Sequence, residues 1–558
     1  MQRLIECVPN FSEGRDQTTL DAIADAVRSV DGVSLLDVDP GAATNRTVFT
    51  FVGEPEPVME AAVRAAKVGA ERIDMRQHTG EHPRFGAMDV CPLVPVAGIT
   101  LEEAAEYART LGKRLAEEAG LTIYLYEAAA SRPERKNLAV VRAGEYEGLA
   151  ARLQGADTAE DQQPDFGPNT FQPGTGATAV SARGFLVAYN VNLNTTSTRR
   201  ANAIAFDVRE KGRVARSPHP VTGEIVRDAD GKPTWTPGSL KAVKGIGWFI
   251  AEYGVSQISM NLVDLDVTPI HVAFDEVRAK ADARGIRTTG SEIVGLLPLS
   301  CMLDAGRHYL RLQERSLGVP DSELIHIAVR SMGLDELAPF DPEKKIIEYA
   351  IRAAGASPLA DLTLTGFVNL TASESMAPGG GSIAALVGSV GAALGTMVAN
   401  LSGHKQGWDE RWEEFSEVAV RGKQLHTRLL FLVDEDTRAF DGIVSAWKVD
   451  KSERDAAIQS ATRFAIEVPL EVMEVSCRAL DLCAEMAEKG LAASLSDAGV
   501  GALCARTAVR GAGFNVAINV KDLADDKERA DYLARADVFL ERAAAVEAQV
   551  VARIDAAL

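Results

Sequence analysis

Cysteine is scarce in this chain: six among 558 residues, at Cys7, Cys91, Cys301, Cys477, Cys483 and Cys504, with no C-x-x-C pair. That spacing excludes a disulfide framework or a zinc ribbon. A basic leader with a cleavage site is also missing, because the N-terminus opens directly on a strand-like run; a cytoplasmic, reduced setting is expected. No basic stripe offsets the net charge of −20, which argues against nucleic acid as a partner. An anionic substrate must then be captured by local arginines and backbone amides. Long uncharged runs are rare too. Ile383 to Leu401 alone reaches spanning length, and its Ala, Gly and Ser content, with Gly388, Gly391 and Gly395, fits a closely packed buried helix. No membrane partner is expected. What remains is 46% hydrophobic and 25% charged, a globular composition, and too long for one core; two to four domains are expected.

The hydrophobic period divides the chain. Leu4 to Val8 reads as a strand, Asp16 to Val30 as an amphipathic helix, and Val33 to Asp39 and Thr47 to Val52 as strands. Pro57 to Ile73 reads as a helix, Val90 to Val96 as a strand, Leu101 to Ala119 as a helix and Leu121 to Tyr126 as a strand. The order contains a β-α-β-β-α-β unit, the ferredoxin-like split pattern. Gly155 to Gly176 is rich in Gly, Pro, Asp, Gln and Thr. A second α/β unit follows: a strand over Phe185 to Leu193, a helix over Ala201 to Arg209, a polar insertion over Val214 to Pro237, a helix over Ser239 to Tyr253 and a strand over Gln257 to Val263. Beyond Ala338 to Pro342 alanine-rich helical periods take over, and residues to Leu558 read as an all-α bundle.

The densest chemistry lies in His78 to Pro92, where two histidines, Glu81, Arg84 and Asp89 sit between a helical pattern and an apolar strand. Such a cluster beside a buried element suits proton transfer by a histidine tuned near neutrality. His78, Glu81 and His82 match H-x-x-E-H, the inverted zinc-protease spacing. Gly80 and Pro83 disfavour the helix that this chemistry needs, so an acid–base histidine without metal is preferred; a surface histidine pair is the plain alternative. Asp39 can hold a histidine tautomer, and Asn45 or Arg46 can bind a carboxylate. In Asp165 to Ala177 the glycines permit close backbone approach and Phe166 and Phe171 offer flat faces, but no nucleotide-phosphate motif occurs there; linker and ligand loop remain equal readings. In the helical third, Ala377 to Ser382 precedes a helix start whose amides can hold an anion, including those of Gly380 and Ser382. Asp436 lies one turn before Phe440 on another helix, either buried with a shifted pKa or on a solvated face.

These motifs together resemble the formimidoyltransferase–cyclodeaminase family of folate enzymes. The resemblance rests on residues 6–14, 35–39, 44–47, 80–84, 88–92 and 165–168, with Ala338 to Phe340 and Ile346 to Tyr349, and runs nearly end to end. It implies two ferredoxin-like α+β subdomains followed by an all-α helical bundle: transferase subdomains at 1–180 and 181–337, a linker at 338–343 and a cyclodeaminase domain at 344–558. By resemblance His82 is the catalytic histidine with Asp39 in the same site. Gly167, Pro168, Asn169, Thr170, Phe171, Gln172, Pro173, Gly174, Thr175 and Gly176 match the folate loop, and Gly238 a further folate contact. Asp436 matches the acid–base residue of the deaminase, with Gly380, Ser382 and Lys405 as binding residues there. Tetrahydrofolate enters as co-substrate without a metal, formimidoylglutamate is the other substrate, and a homodimer or larger homo-oligomer is implied. The chain departs from the family's pattern at Leu491, at His404 and in the insertion near Ser217 to Thr236. A transferase with a degenerate second domain is one alternative; a zinc hydrolase built on His78, Glu81 and His82 is the other.

Overall fold

The computed structural model describes residues 3–42, 45–80, 84–219, 222–354 and 359–557. The chain forms two compact units, Met1–Cys301 with Met332–Gly355, and Met302–Ser331 with Ala356–Leu558. Residues 302–331, which the sequence pattern places in the second α/β subdomain, therefore pack with the helical unit.

In the first unit, strands β1 (Leu4–Cys7), β2 (Asn10–Phe11), β3 (Val33–Gly41), β4 (Arg46–Gly53) and β5 (Met88–Ala97) surround helices α1 (Gln17–Arg28) and α2 (Pro55–Arg72). β3 pairs β4, and both β1 and β2 lie between β4 and β5, all antiparallel. This is the ferredoxin-like order expected from the alternating periods. Strands β6 (Thr122–Glu127) and β7 (Ala177–Ala182) extend the sheet in parallel beyond β5. Helix α3 (Leu101–Ala119) has a reciprocal cap: Thr100 Oγ1 accepts from Glu103 N at 3.2 Å while Glu103 accepts from Thr100 N at 2.9 Å. Both orphan amides are satisfied.

A second sheet repeats the topology with β8 (Val187–Leu193), α4 (Thr198–Val208), β9 (Val243–Ile250), β10 (Val255–Leu262), α5 (Ile270–Asp282) and β11 (Thr288–Val294). Its order is β9-β10-β8-β11, fully antiparallel. Here the expected helix over Ser239 to Tyr253 is wrong, since Val243–Ile250 is a strand. Two glycines depress helix formation, and Ile246, Trp248, Phe249 and Ile250 favour a pleated surface. Gly247 also lets α4 approach: a Cβ there would lie 2.3 Å from Asn202 N. The polar insertion folds back on itself, with Arg213–Val214 paired to Trp235–Thr236 and Arg216–Ser217 to Glu224–Ile225.

The second unit is helical, with α6 (Leu299–Leu312) contributing from Met302 onward, α7 (Asp321–Met332) up to Ser331, and the long α8 (Gly380–Gly403), α9 (Trp412–Ala446), α10 (Arg454–Lys489), α11 (Leu495–Asn519) and α12 (Asp526–Ala557). The run at Ile383 to Leu401 is long and apolar enough for a membrane by length and composition. Its small residues serve helix packing instead: a Cβ on Gly391 would lie 2.7 Å from Gly501 O.

Candidate functional site

The histidine-bearing segment is fastened to the loop of residues 167–176. Met75 N donates to Gly174 O at 2.9 Å and Ala87 N to Thr175 O at 2.8 Å. Tyr146 bridges the two, donating its hydroxyl to Pro173 O at 2.6 Å and packing on Phe171 at 5.6 Å between ring centres. Its ring lies under the Arg84 guanidinium, 4.8 Å away. The stretch that sequence alone leaves as linker or ligand loop is thus held against the histidine segment. Gly167 and Gly176 have φ of +85° and +66°, which L side chains rarely adopt. Thr170 and Gln172 sit on the same loop, Gln172 Nε2 donating to Thr170 O at 3.2 Å, and Asn169 Nδ2 donates to Gly155 O at 3.0 Å. Thr122 Oγ1 donates to Pro168 O at 2.9 Å.

Glu81, His82 and Pro83 lie outside the described residues, as does Thr44. His78 is buried, with Nε2 2.7 Å from Asn45 O. Asn45 is at φ +48°, and both ends of its amide are engaged: Oδ1 accepts from Gly14 N at 3.0 Å and Nδ2 donates to Thr79 O at 3.0 Å. Asn45 therefore ties the first loop to the histidine segment. Arg84 donates to His78 O and to Met75 O, the latter at 3.1 Å, and pairs with Glu147 at 2.6 Å. Asp39 is exposed on β3, opposite Val48 of β4.

Arg46 enters a cleft of about 1050 Å³ whose wall includes Asn10, Tyr126, Arg142, Arg183, Lys244 and Asn261. Its Nη1 is 2.8 Å from Asp89 Oδ2 and its Nε donates to Asn10 Oδ1 at 3.2 Å. Asp89 is 1% exposed and also accepts from Phe85 N at 3.0 Å and from Arg142. One buried carboxylate thus aims two guanidiniums into the cleft. Burial holds Arg46 below the usual arginine range, Arg142 pushes the same way, and Asp89 opposes both. Arg142, Arg183 and Lys244 escape sequence reasoning, being far apart in the chain; the only local signal is the lone Asp89 in an apolar strand. Gly238 is not brought to this cleft. It lines a separate pocket of about 250 Å³ with Phe206, Asp207 and Lys280.

In the helical unit, Asp436 on α9 caps the start of α8. Its Oδ2 accepts from Ser382 N at 2.7 Å and from Ser382 Oγ at 3.0 Å. Gly381 permits the approach, since a Cβ there would stand 2.0 Å from Asp436 Oδ1. Gly380 opens the helix beside Asn515 of α11, whose amide would be 3.9 Å from a Cβ on that glycine. Burial raises the Asp436 pKa, while the two Ser382 hydrogen bonds oppose the shift. A carboxyl whose pKa burial raises suits acid–base work. Lys405 is elsewhere: it follows the far end of α8, about 36 Å along that helix, with Nζ 4.0 Å over the Trp408 ring. Among the described residues no group of three or more His, Cys, Asp or Glu is arranged to hold a metal ion.

Residues 4–183 match the family model described as formiminotransferase domain, N-terminal subdomain; residues 188–352 match formiminotransferase domain; residues 363–538 match formiminotransferase-cyclodeaminase. The chain is 42% identical to formimidoyltransferase-cyclodeaminase of Mus musculus, over all of this chain and 99% of that protein. It is 38% identical to glutamate formimidoyltransferase of Streptococcus pyogenes serotype M1, over 56% of this chain and 95% of that one. The chain is also 34% identical to methenyltetrahydrofolate cyclohydrolase of Methylorubrum extorquens, over 34% of this chain and 93% of that protein.

Proposed function

The chain belongs to the formimidoyltransferase–cyclodeaminase family, and from that membership we infer how its two sites divide two consecutive reactions. It transfers the formimidoyl group of N-formimidoylglutamate to N5 of tetrahydrofolate and then closes 5-formimidoyltetrahydrofolate to 5,10-methenyltetrahydrofolate with loss of ammonia. Tetrahydrofolate is a substrate of the first step, and its 5-formimidoyl derivative is the substrate of the second. The names of the relatives favour this pair of reactions over a zinc hydrolase or a transferase with a degenerate partner.

The observation that carries the transferase reading is the cationic cleft. Glutamate carboxylates must be captured locally in a chain of charge −20, and Arg46 and Arg142, set by Asp89, supply paired guanidinium donors with Arg183 and Lys244 nearby. Arginine forks match carboxylate geometry. The docked loop of residues 167–176 offers backbone to the pteridine. As N5 bonds to the amidine carbon it releases a proton, and as the carbon–nitrogen bond to glutamate breaks the departing nitrogen takes one up. In our reading His82 relays that proton, and Asp39 holds its tautomer. Holding both substrates in one cleft supplies the orientation that a modest acid–base factor does not.

In the second step N10 bonds to the same carbon of the protonated amidine, the bond to its terminal NH2 nitrogen breaks and ammonia leaves, the methenyl bridge keeping the positive charge. Asp436 takes the N10 proton and returns it to the departing nitrogen, with the backbone amide and the hydroxyl of Ser382 holding the carboxylate in place. The proposal runs without metal, so both rates survive chelator treatment. It also carries a homo-oligomer formed through the helical unit: Val500, Leu503, Phe514 and Ile518 leave an apolar stripe on α11, the last two 63% and 60% exposed. Light scattering on the full chain tests this, and cell fractionation tests the proposed cytoplasmic location. Absorbance of methenyltetrahydrofolate, measured with both substrates, tests the chemistry. His82→Ala is expected to abolish transfer, and Asp436→Asn to abolish cyclisation alone. Unchanged turnover in His82→Ala overturns the transferase assignment.

A further inference from the structure

Side chains alternate along β9, so Lys244, which lines the cleft, faces away from α4, which packs against Gly247. On the α4 face, opposite the cleft, lies a second pocket of about 320 Å³ lined by Arg199, Phe206, Arg209, Arg213, Arg216 and Trp235. No residue lines both cavities. Three of those side chains, Arg213, Arg216 and Trp235, come from the polar insertion or its edges, where Thr236 pairs with Arg213 and Trp235 with Val214. The insertion builds this wall.

Four guanidiniums converge there, and among the described residues no carboxylate lines the pocket. Asp207, on α4, is shared between Arg213 and Arg284. Arg209 stacks 3.9 Å over the Phe206 ring and donates to the carbonyls of Gly212 and Gly245 at 2.9 and 3.3 Å. Arg216 donates to Gly223 O at 2.9 Å, and Lys211 rides 4.7 Å over the Trp235 ring. Carbonyls and aromatic faces orient these cations without neutralising them. Burial and the nearby Arg213 charge both lower the Arg209 pKa, as expected where like charges gather short of a counter-ion. In so acidic a chain, such a concentration of arginine opposes the overall field and creates local attraction for anions.

We propose that this pocket binds a small polyanion carrying at least two phosphate or carboxylate groups, outside the reaction cleft. Each oxyanion can engage one planar guanidinium through two parallel hydrogen bonds, so the four arginines accommodate more than a single charge. Phosphates and carboxylates share this recognition chemistry, and the probes separate them: inorganic pyrophosphate, citrate and a γ-linked tetraglutamate. Each is titrated calorimetrically into the full chain at low ionic strength. At least one is expected to bind once per chain, with affinity falling as salt rises. Arg199 and Arg216 are exposed, so the double variant R199Q/R216Q folds, as its melting curve checks. It should weaken binding by about tenfold or more, leaving transfer and cyclisation unchanged without added anion. Trp235 fluorescence, compared with that of Trp235→Phe, reports occupancy independently. The proposal is overturned if none of the three probes binds, or if R199Q/R216Q binds as tightly as the parent chain. Loss of transfer in that variant also refutes it, by merging the pocket with the cleft.

Discussion

Replacing Asp89 by Asn keeps the shape of the side chain and removes the one charge that organises the cleft. The carboxylate is 1% exposed and accepts from Phe85 N, Arg46 and Arg142. Without it, two guanidiniums whose side chains are each 14% exposed face one another with no counter-ion, and the new amide group adds a donor where three donors already point. Stripping one partner from a buried ion pair costs about 3–5 kcal/mol. Because both arginines reach the cleft, where water can enter, the lower end is expected, about 3 kcal/mol. Urea unfolding of the full chain reads this as a lower midpoint for the α/β unit, followed by fluorescence and by protection of amides in β5. Kinetically, KM for formimidoylglutamate should rise more than kcat falls, since the change misplaces carboxylate-binding groups. The partner substitution Arg46→Gln should be strongly non-additive with Asp89→Asn, by at least about 1 kcal/mol, because each alone strands the other. A variant as stable as the parent with unchanged KM, or additive single effects, would falsify the idea that Asp89 sets the two arginines.

Burial pushes the Glu6 carboxyl up to about 7 from 4.5, so between those values the folded state binds more protons than the unfolded chain. Stability therefore falls as pH rises through that window, by up to about 3 kcal/mol. Glu6→Gln should flatten the slope, visible as unfolding midpoints at pH 5 and pH 8 that converge relative to the parent; an unaltered slope sinks the assignment. Asp436 is likewise raised by burial, so its ionised form is disfavoured in the folded state and cyclisation should decline as pH drops through that raised value, while transfer does not follow the same limb. Ser382→Ala removes the hydroxyl donor at 3.0 Å and should slow cyclisation by about tenfold, the worth of one hydrogen bond to a charged group, with the acid limb moved to higher pH. Gly381→Ala puts a methyl where Asp436 Oδ1 now stands and should abolish cyclisation with transfer intact; full activity there would show that the carboxylate is free to move.

Much of the fold is legible in the sequence. The alternation of apolar positions and the alanine-rich texture after Pro342 are local signals, written within one or two turns of chain, and they determine helix, strand and the change from α/β to all-α. The motif residues around Gly80 to Pro92 identify the family because several unusual residue types recur together over a short span. Two things were beyond reach. Ser239 to Tyr253 reads as a helix although Gly245, Gly247 and the aromatics favour a strand; what the sequence does not show is that α4 packs on Gly247. Nor does it show that Gly14 and Thr79 meet the two ends of the Asn45 amide, which only folding brings together. The same holds for the sites. Asp89 with Arg46 and Arg142, and Asp436 with Ser382, are separated by tens of residues in sequence and meet within hydrogen-bond distance. Composition and period report what a residue does to its own segment. Which charges share a cavity, and which carboxylate is stripped of water, depends on how sheets and helices stack, and only tertiary structure decides that.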